Sequence, residues 1–97
     1  MKNLRIHEAA RREANLAAHW YSERSIESAR NLIEELLLGI SKAQRFPDRY
    51  PLYLHGTRRV IVDRFPYSIV SLDWQDEVFI VAMAHAKRRP GYWNNRI

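Results

Sequence analysis

The residues best suited to chemistry lie close together in the last fourteen residues, AHAKRRPGYWNNRI. His85 is a candidate for proton transfer, since an imidazole gains and loses a proton near neutral pH. Arg88 can hold phosphate oxygens, and Tyr92 can stack on a nucleic-acid base. Such a set would suit metal-independent cleavage of RNA, which needs a base, an acid and cations for the charge that develops on phosphorus.

Each of these residues also has a plain structural interpretation. His85 can cap the end of a strand by bonding to the backbone, and the residues alone leave the two roles open. The Pro90-Gly91 turn can fold the following aromatics back onto the core. We expect Trp93 to pack there, and the residues alone leave both packing and base stacking open for Tyr92. A catalytic assignment for His85, Arg88 and Tyr92 therefore applies only if the protein is a nuclease.

A second group of cations, Arg58, Arg59 and Arg64, flanks a predicted strand in the middle of the chain. The planar guanidinium can hold two phosphate oxygens at once, which suits these residues to binding a phosphate or another acidic target. Because side chains alternate along a strand, Arg59 is expected on the face opposite Arg58 and Arg64. At most one subset can line a given groove, and solvated or ion-paired strand residues are an equally good interpretation of each.

Positive charge is concentrated at the C-terminus. The 97 residues include 16 Lys and Arg against 11 Asp and Glu, which gives a net charge of +5. The last fourteen residues contain four of the basic residues and no acid, so the rest of the chain is almost neutral. We therefore expect Lys87, Arg88 and Arg89 to contact a polyanion or an acidic partner.

Composition excludes several classes of protein. The chain has no cysteine, which rules out disulfides and thiolate metal sites, and the histidines before His85 lack ligand spacing. No apolar run is long enough to span a membrane. We expect a cytoplasmic protein without cofactor, metal site or membrane contact, folded as a single domain over residues 1–97.

Hydrophobic periodicity predicts two helices after a short strand at residues 2–7. Alanines at helical spacing predict a helix from Glu8 to about residue 23. A longer apolar stripe, which includes Ile33, predicts a second helix from its N-cap Ser25 to the stop at Phe46-Pro47. Gly39 lies inside this helix and should weaken it by about 1 kcal/mol relative to alanine. The short connection indicates an antiparallel helical hairpin.

Three further segments have strand character: TRRVIVDRF (57–65), YSIVSLDW (67–74) and EVFIVAMAH (77–85). The last is nearly all apolar, as expected of a strand that is covered on both faces. The short segment QDE indicates a hairpin turn between the last two strands. The order β-α-α-β-β-β predicts an α+β fold in which the helical hairpin packs on a small, largely antiparallel sheet.

A chain of this length and element order resembles the RelE/ParE superfamily of bacterial toxins from type II toxin–antitoxin, or plasmid stabilisation, modules. The resemblance rests on HEAARREANLAAHWY in the first helix, FPDRYP after the second, RRVIVDRFPYSIV across the middle strands and VAMAHAKRRPGYW at the end. It covers nearly the whole chain. RFPYSIV and AHAKRRPGYW are its most specific parts.

The resemblance implies a growth-inhibiting toxin. ParE-like members inhibit DNA gyrase by binding, whereas RelE-like members cut mRNA in the ribosome and often place a functional basic or imidazole side chain near position 85. The long helical hairpin and the few basic groups between residues 47 and 56 favour the ParE-like function. A metal-independent mRNA endoribonuclease is the alternative, so enzymatic activity stays open. A basic nucleic-acid-binding module without toxicity is a third hypothesis.

The resemblance also implies a partner, a cognate antitoxin that holds the toxin inactive in a hetero-oligomer. The antitoxin is expected to occupy the groove between the helices and the sheet together with the basic end of the chain. A segment that carries acids and apolar anchors would gain both desolvated contacts and charge complementarity there.

Overall fold

The structure, a computed structural model, describes residues 1–97. Its elements are β1 (Asn3–Ile6), α1 (Glu8–Ser22), α2 (Ile26–Arg45), β2 (Arg58–Ile61), β3 (Tyr67–Trp74) and β4 (Glu77–His85). The order is the predicted one, and the bounds of β3 and β4 agree with the sequence prediction. β2 is shorter than predicted because the chain turns after it, and Arg64 in that turn takes a left-handed backbone conformation with φ of 69°.

The helical hairpin begins at side-chain caps. Nδ1 of His7 accepts a hydrogen bond from the amide of Ala9 at 2.9 Å at the start of α1. The hydroxyl of Ser25 accepts from the amide of Ser28 at 3.2 Å at the start of α2, as predicted. Both caps satisfy amides that have no partner within the helix. Neither helix combines the length and the apolar character needed to cross a bilayer.

The four strands lie in the order β1-β4-β3-β2. β3 pairs antiparallel with β2 and with β4, whereas β1 pairs parallel with β4. β1 extends along β4 only as far as Ile80, so no strand covers that edge of β4 beyond this residue. A register shift opposite Val70 and Ser71 leaves Val81 as the extra residue of a β-bulge.

The sheet carries a core on each face. On the helix side, twelve buried residues from both helices, three strands and the first position after β2 form one cluster. The opposite face is covered by the C-terminal segment (residues 86–97), and the core on this side consists of Val70, Phe79, Val81, Ala82 and Trp93. β4 is therefore buried on both faces, as its apolar sequence predicts. Trp93 is 1% exposed, which confirms its predicted packing role.

α2 approaches β3 most closely at Gly39. A Cβ added to Gly39 would lie 2.9 Å from Cγ1 of Ile69, so the glycine permits the close contact between helix and sheet. The sequence shows only the cost of this glycine to the helix, and the packing supplies its reason. Ile33, predicted within the buried stripe, is instead 45% exposed because it lines a groove beside α1.

Candidate target-binding cleft

A cleft of about 90 Å³ lies where β2, β3, the end of β4 and the C-terminal segment meet. Its lining residues are Tyr53, Arg59, Ser68, Val70, Ala84, His85, Ala86, Arg88, Arg89, Pro90, Tyr92 and Trp93. The fold thus brings five residues selected from the sequence to one place, although one of them comes from a strand far from the others in the chain. They are Arg59, His85, Arg88, Arg89 and Tyr92.

Two arginines of the cleft lie over tyrosine rings. The guanidinium carbon of Arg59 is 4.1 Å from the ring centroid of Tyr53, and that of Arg88 is 3.8 Å from the ring centroid of Tyr92. Stacking holds the planar cation while its N–H groups can still bond to a ligand. No acidic residue lines the cleft, and none of the ion pairs of the molecule includes Arg59, Arg88 or Arg89. The cleft therefore presents uncompensated positive charge, which suits a phosphate or a carboxylate.

The remaining predicted cations lie outside this cleft. Nη1 of Arg58 donates to the carbonyl of Tyr50 at 2.5 Å, which ties the side chain to the loop before β2 and away from its neighbour Arg59. Arg64 is exposed in the turn between β2 and β3, and Lys87 is exposed in the turn after β4. Neither lines the cleft. Arg64 and Lys87 can contact only a target that extends beyond the cleft.

His85 ends β4 at the edge of the cleft. Its Nδ1 accepts a hydrogen bond from the amide of Lys87 at 3.0 Å, and its ring packs edge-on against Tyr67 with the centroids 5.1 Å apart. A neutral imidazole whose Nδ1 accepts a hydrogen bond carries its hydrogen on Nε2. Nε2 can then donate a hydrogen bond, but it has no lone pair with which to take a proton. This geometry corresponds to strand capping, one of the two roles that the sequence left open for His85; the other was proton transfer.

The hydroxyl of Tyr92 is engaged with α1. It donates a hydrogen bond to Oε2 of Glu13 at 2.5 Å. Burial, followed by this hydrogen bond and the nearby negative charge, raises the pKa of Tyr92 well above its usual range. A phenol held protonated in this way is a poor proton acceptor at neutral pH. The ring of Tyr92, by contrast, forms part of the cleft wall.

Glu13 and Arg96 form an ion pair that anchors the C-terminal segment. Nη1 and Nη2 of Arg96 donate to the two carboxylate oxygens at 3.0 Å each, and both side chains are only 15% exposed. Glu13 also accepts from the amide of Met83, and Arg96 donates to the carbonyl of Val81. The amide of Met83 and the carbonyl of Val81 lie on the part of β4 that does not pair with β1. The Glu13 and Arg96 side chains therefore supply hydrogen-bond partners for two backbone groups at this unpaired edge. Arg96 is thereby neutralised and adds no free charge to the basic end.

The turn at Pro90-Gly91 returns the C-terminal segment to the body of the protein. Gly91 has φ of 81°, in the left-handed region that favours glycine. The amide of Tyr92 donates to the carbonyl of Arg89 at 3.1 Å and closes the turn. As a result Tyr92 and the buried Trp93 form one wall of the cleft.

Sequence reasoning missed two residues that contact side chains of the cleft or of the segment behind it, Tyr53 and Glu13. Tyr53 lies under Arg59, and the only signal for it is the aromatic loop DRYPLYLHG directly before the arginine-bearing strand. Glu13 stands out in the sequence only as an acid early in the first helix. Its partner Arg96 is 83 positions away in the chain, so no local sequence pattern predicts the ion pair.

Comparison with known proteins shows a likeness to solved structures. No family model matches the chain, and no curated protein matches it. Among solved structures, it is similar to a chain of the "Chromosomal ParDE TA system from P. aeruginosa", with a TM-score of 0.76 and 17% identity over 90% of this chain and 98% of that chain. Likeness at this identity shows the fold. The chain therefore has the two-helix, four-strand α+β fold found in a ParDE system, which confirms the predicted fold class and agrees with the RelE/ParE resemblance at the level of the fold.

Proposed function

We propose that the chain is the toxin of a type II toxin–antitoxin module and that it inhibits growth by binding its target, as ParE-like toxins inhibit DNA gyrase. The fold shared with a chain of a ParDE system supports the toxin assignment. The single observation that carries the binding mechanism is the cleft, where Arg59 and Arg88 lie on tyrosine rings and no acid is among the lining residues. Such a surface recognises phosphate or carboxylate groups without moving a proton.

The state of the two titratable candidates favours binding over cleavage. Nδ1 of His85 accepts from a backbone amide, and the hydroxyl of Tyr92 donates to Glu13. Neither residue offers a free lone pair that is suited to take a proton from a ribose hydroxyl. The cleft also has no carboxylate among its lining residues, and this supports binding over the acid–base chemistry of RNA cleavage.

An antitoxin has a suitable surface on the helical hairpin. A groove of about 220 Å³ between α1 and α2 is mostly apolar, and at its edge Leu37 is 60% exposed and Ile33 is 45% exposed. Arg11 lies at the same groove. An amphipathic antitoxin segment would place its apolar side chains in the groove and its acids against Arg11 and the basic end of the chain. The toxin would then stay inactive in a cytoplasmic hetero-oligomer until the antitoxin is lost.

A ribosome-dependent mRNA endoribonuclease is the second candidate, because Arg59, His85 and Arg88 line one cleft. To serve as the acid for the leaving oxygen, His85 would have to be an imidazolium, and its Nδ1 would then give up the hydrogen bond from the Lys87 amide. The base would then come from outside this chain. His85 therefore separates the two functions.

Induced expression in a bacterial host tests the toxin assignment. The chain alone should arrest growth, and co-expression of an adjacent gene for a small acidic partner should restore it. Normal growth in the presence of soluble protein would overturn the proposal and favour the non-toxic nucleic-acid-binding module. Relaxed plasmid DNA in arrested cells would indicate gyrase, whereas newly cut mRNA would indicate the nuclease.

Substitution of His85 distinguishes the two mechanisms within the same assay. If the chain acts by binding, His85→Ala should keep most of its toxicity, as should the matched control His19→Ala on the exposed face of α1. A nuclease should lose toxicity with His85→Ala alone. Complete loss in that variant, with the protein folded and still able to bind its antitoxin, contradicts the binding mechanism.

A further inference from the structure

The Arg88 guanidinium lies over one aromatic ring. Its carbon lies 3.8 Å from the centroid of the Tyr92 ring, and the side chain forms no ion pair within the molecule. An arginine side chain has many rotamers, so an exposed guanidinium without such support samples many positions. Arg89, next in the chain, is also exposed and has no aromatic ring beneath it.

The Tyr92 ring is fixed from the other side of the molecule. Its hydroxyl donates to Oε2 of Glu13 on α1 at 2.5 Å. The carboxylate is itself held by Arg96 and by the amide of Met83 at 3.0 Å each, so it cannot follow the tyrosine if the ring moves. A continuous chain of contacts therefore runs from Met83 in the sheet through Glu13 and Tyr92 to the Arg88 cation in the cleft.

We propose that Glu13 is a positioning residue for the cleft, which holds the Tyr92 ring and through it the guanidinium that faces the target. The proposal rests on the proposed function only in taking the cleft as the target-binding surface. Glu13 does not line the cleft, and although it lines a neighbouring groove together with Arg88, it forms no hydrogen bond or ion pair with that residue. Its effect on binding therefore passes through Tyr92, and it should disappear when Arg88 is absent.

A purely structural role for Glu13 makes a different prediction. If the carboxylate only fastened the C-terminal segment, Tyr92→Phe, which keeps the Glu13–Arg96 ion pair, would leave Arg88 as ordered as before. Arg59 offers the comparison, because it stacks on Tyr53, whose ring has no contact with Glu13. Positioning through Tyr92 requires that Arg88 loosen while Arg59 keeps its order.

Nuclear magnetic relaxation of the arginine Nε–Hε groups in the free protein measures this directly. The variants are Glu13→Gln and Tyr92→Phe. Tyr92→Phe keeps the aromatic ring and the Glu13–Arg96 ion pair and removes only the hydroxyl. Glu8→Gln, on the exposed face of the same helix, is the matched control. In Tyr92→Phe and in Glu13→Gln the order parameter of Arg88 should fall to that of Arg89, while that of Arg59 stays at its value in the unmodified protein. An unchanged Arg88 in folded Tyr92→Phe, or an equal loss at Arg59, overturns the proposal.

Inhibition of purified DNA gyrase provides the functional arm. Tyr92→Phe should raise the concentration for half inhibition several-fold in the otherwise unmodified protein and should have no further effect in an Arg88→Ala background. Additive losses in the double variant contradict positioning through Arg88. If the unmodified protein inhibits no gyrase, the proposed function fails, whereas the relaxation experiment still decides the role of Glu13.

Discussion

Glu13→Gln removes a carboxylate that accepts four hydrogen bonds, two on each oxygen, from the Tyr92 hydroxyl, the Met83 amide and twice from Arg96. Glutamine preserves the shape of the side chain but replaces one oxygen with an NH₂ group, so two donors then face another donor. The hydrogen bond to Glu13 is also the main reason why the pKa of Arg96 is raised. The substitution leaves this guanidinium, 15% exposed, without a counter-charge.

The expected loss in the free energy of unfolding follows from the burial of the Glu13–Arg96 pair. Loss of one partner from a buried ion pair costs about 3–5 kcal/mol. Because water still reaches part of both side chains, we expect the lower end of that range, about 3 kcal/mol. For a domain of this size each kcal/mol lowers Tm by about 4–8 °C, so Tm should fall by roughly 12–24 °C.

Urea denaturation followed by circular dichroism measures this loss, and a constant m-value shows that the transition stays two-state. Glu8→Gln is the matched control, since Glu8 lies on the same helix in an exposed ion pair with Arg12 at 3.4 Å. It should cost less than about 1 kcal/mol. An equal, small cost for both variants would refute the conclusion that the Glu13–Arg96 pair anchors the C-terminal segment.

Three further predictions concern packing and pH. Gly39→Ala should lower the free energy of unfolding by about 1–2 kcal/mol, because overpacking against Ile69 outweighs the gain in helix propensity; a stabilised variant in urea would contradict this. The raised pKa of Tyr92 contributes stability that is complete below about pH 10 and is lost as the pH rises further, since the unfolded chain ionises first. Tyr92→Phe should therefore flatten the alkaline limb of the stability profile, and an unchanged limb would count against the Glu13 hydrogen bond. Gly91→Ala should cost about 1–3 kcal/mol by thermal denaturation because φ of 81° strains alanine, and an unchanged Tm would show that the turn relaxes freely.

The parts of the fold that depend on local patterns were predictable. The apolar run of β4 and the β-branched run of β3 define their own bounds, and the cap at Ser25 defines the start of α2. The parallel pairing of β1 with β4 and the bulge at Val81 depend on which strands become neighbours in the sheet. Local sequence patterns therefore could not predict them. Gly39 shows the same limit, because its reason lies in the approach of α2 to Ile69.

The cleft was predictable only in part for the same physical reason. Charge density placed it at the C-terminus, and strand alternation separated Arg59 from Arg58. The pairing of Glu13 with Arg96 joins the first helix to the end of the chain, and it neutralises one of the four basic residues counted in the last fourteen positions. His85 illustrates a finer limit, because capping and proton transfer require the same residue type and differ only in which nitrogen is engaged.

Inhibition of DNA supercoiling by purified gyrase tests most directly the proposal that the basic cleft binds the target. The protein should inhibit supercoiling in a concentration-dependent manner. The double variant Arg59→Ala/Arg88→Ala should lose most of this inhibition, while Arg30→Ala, an exposed arginine on α2, should behave like the unmodified protein. Full supercoiling at saturating protein, or equal inhibition by the double variant, would contradict the claim.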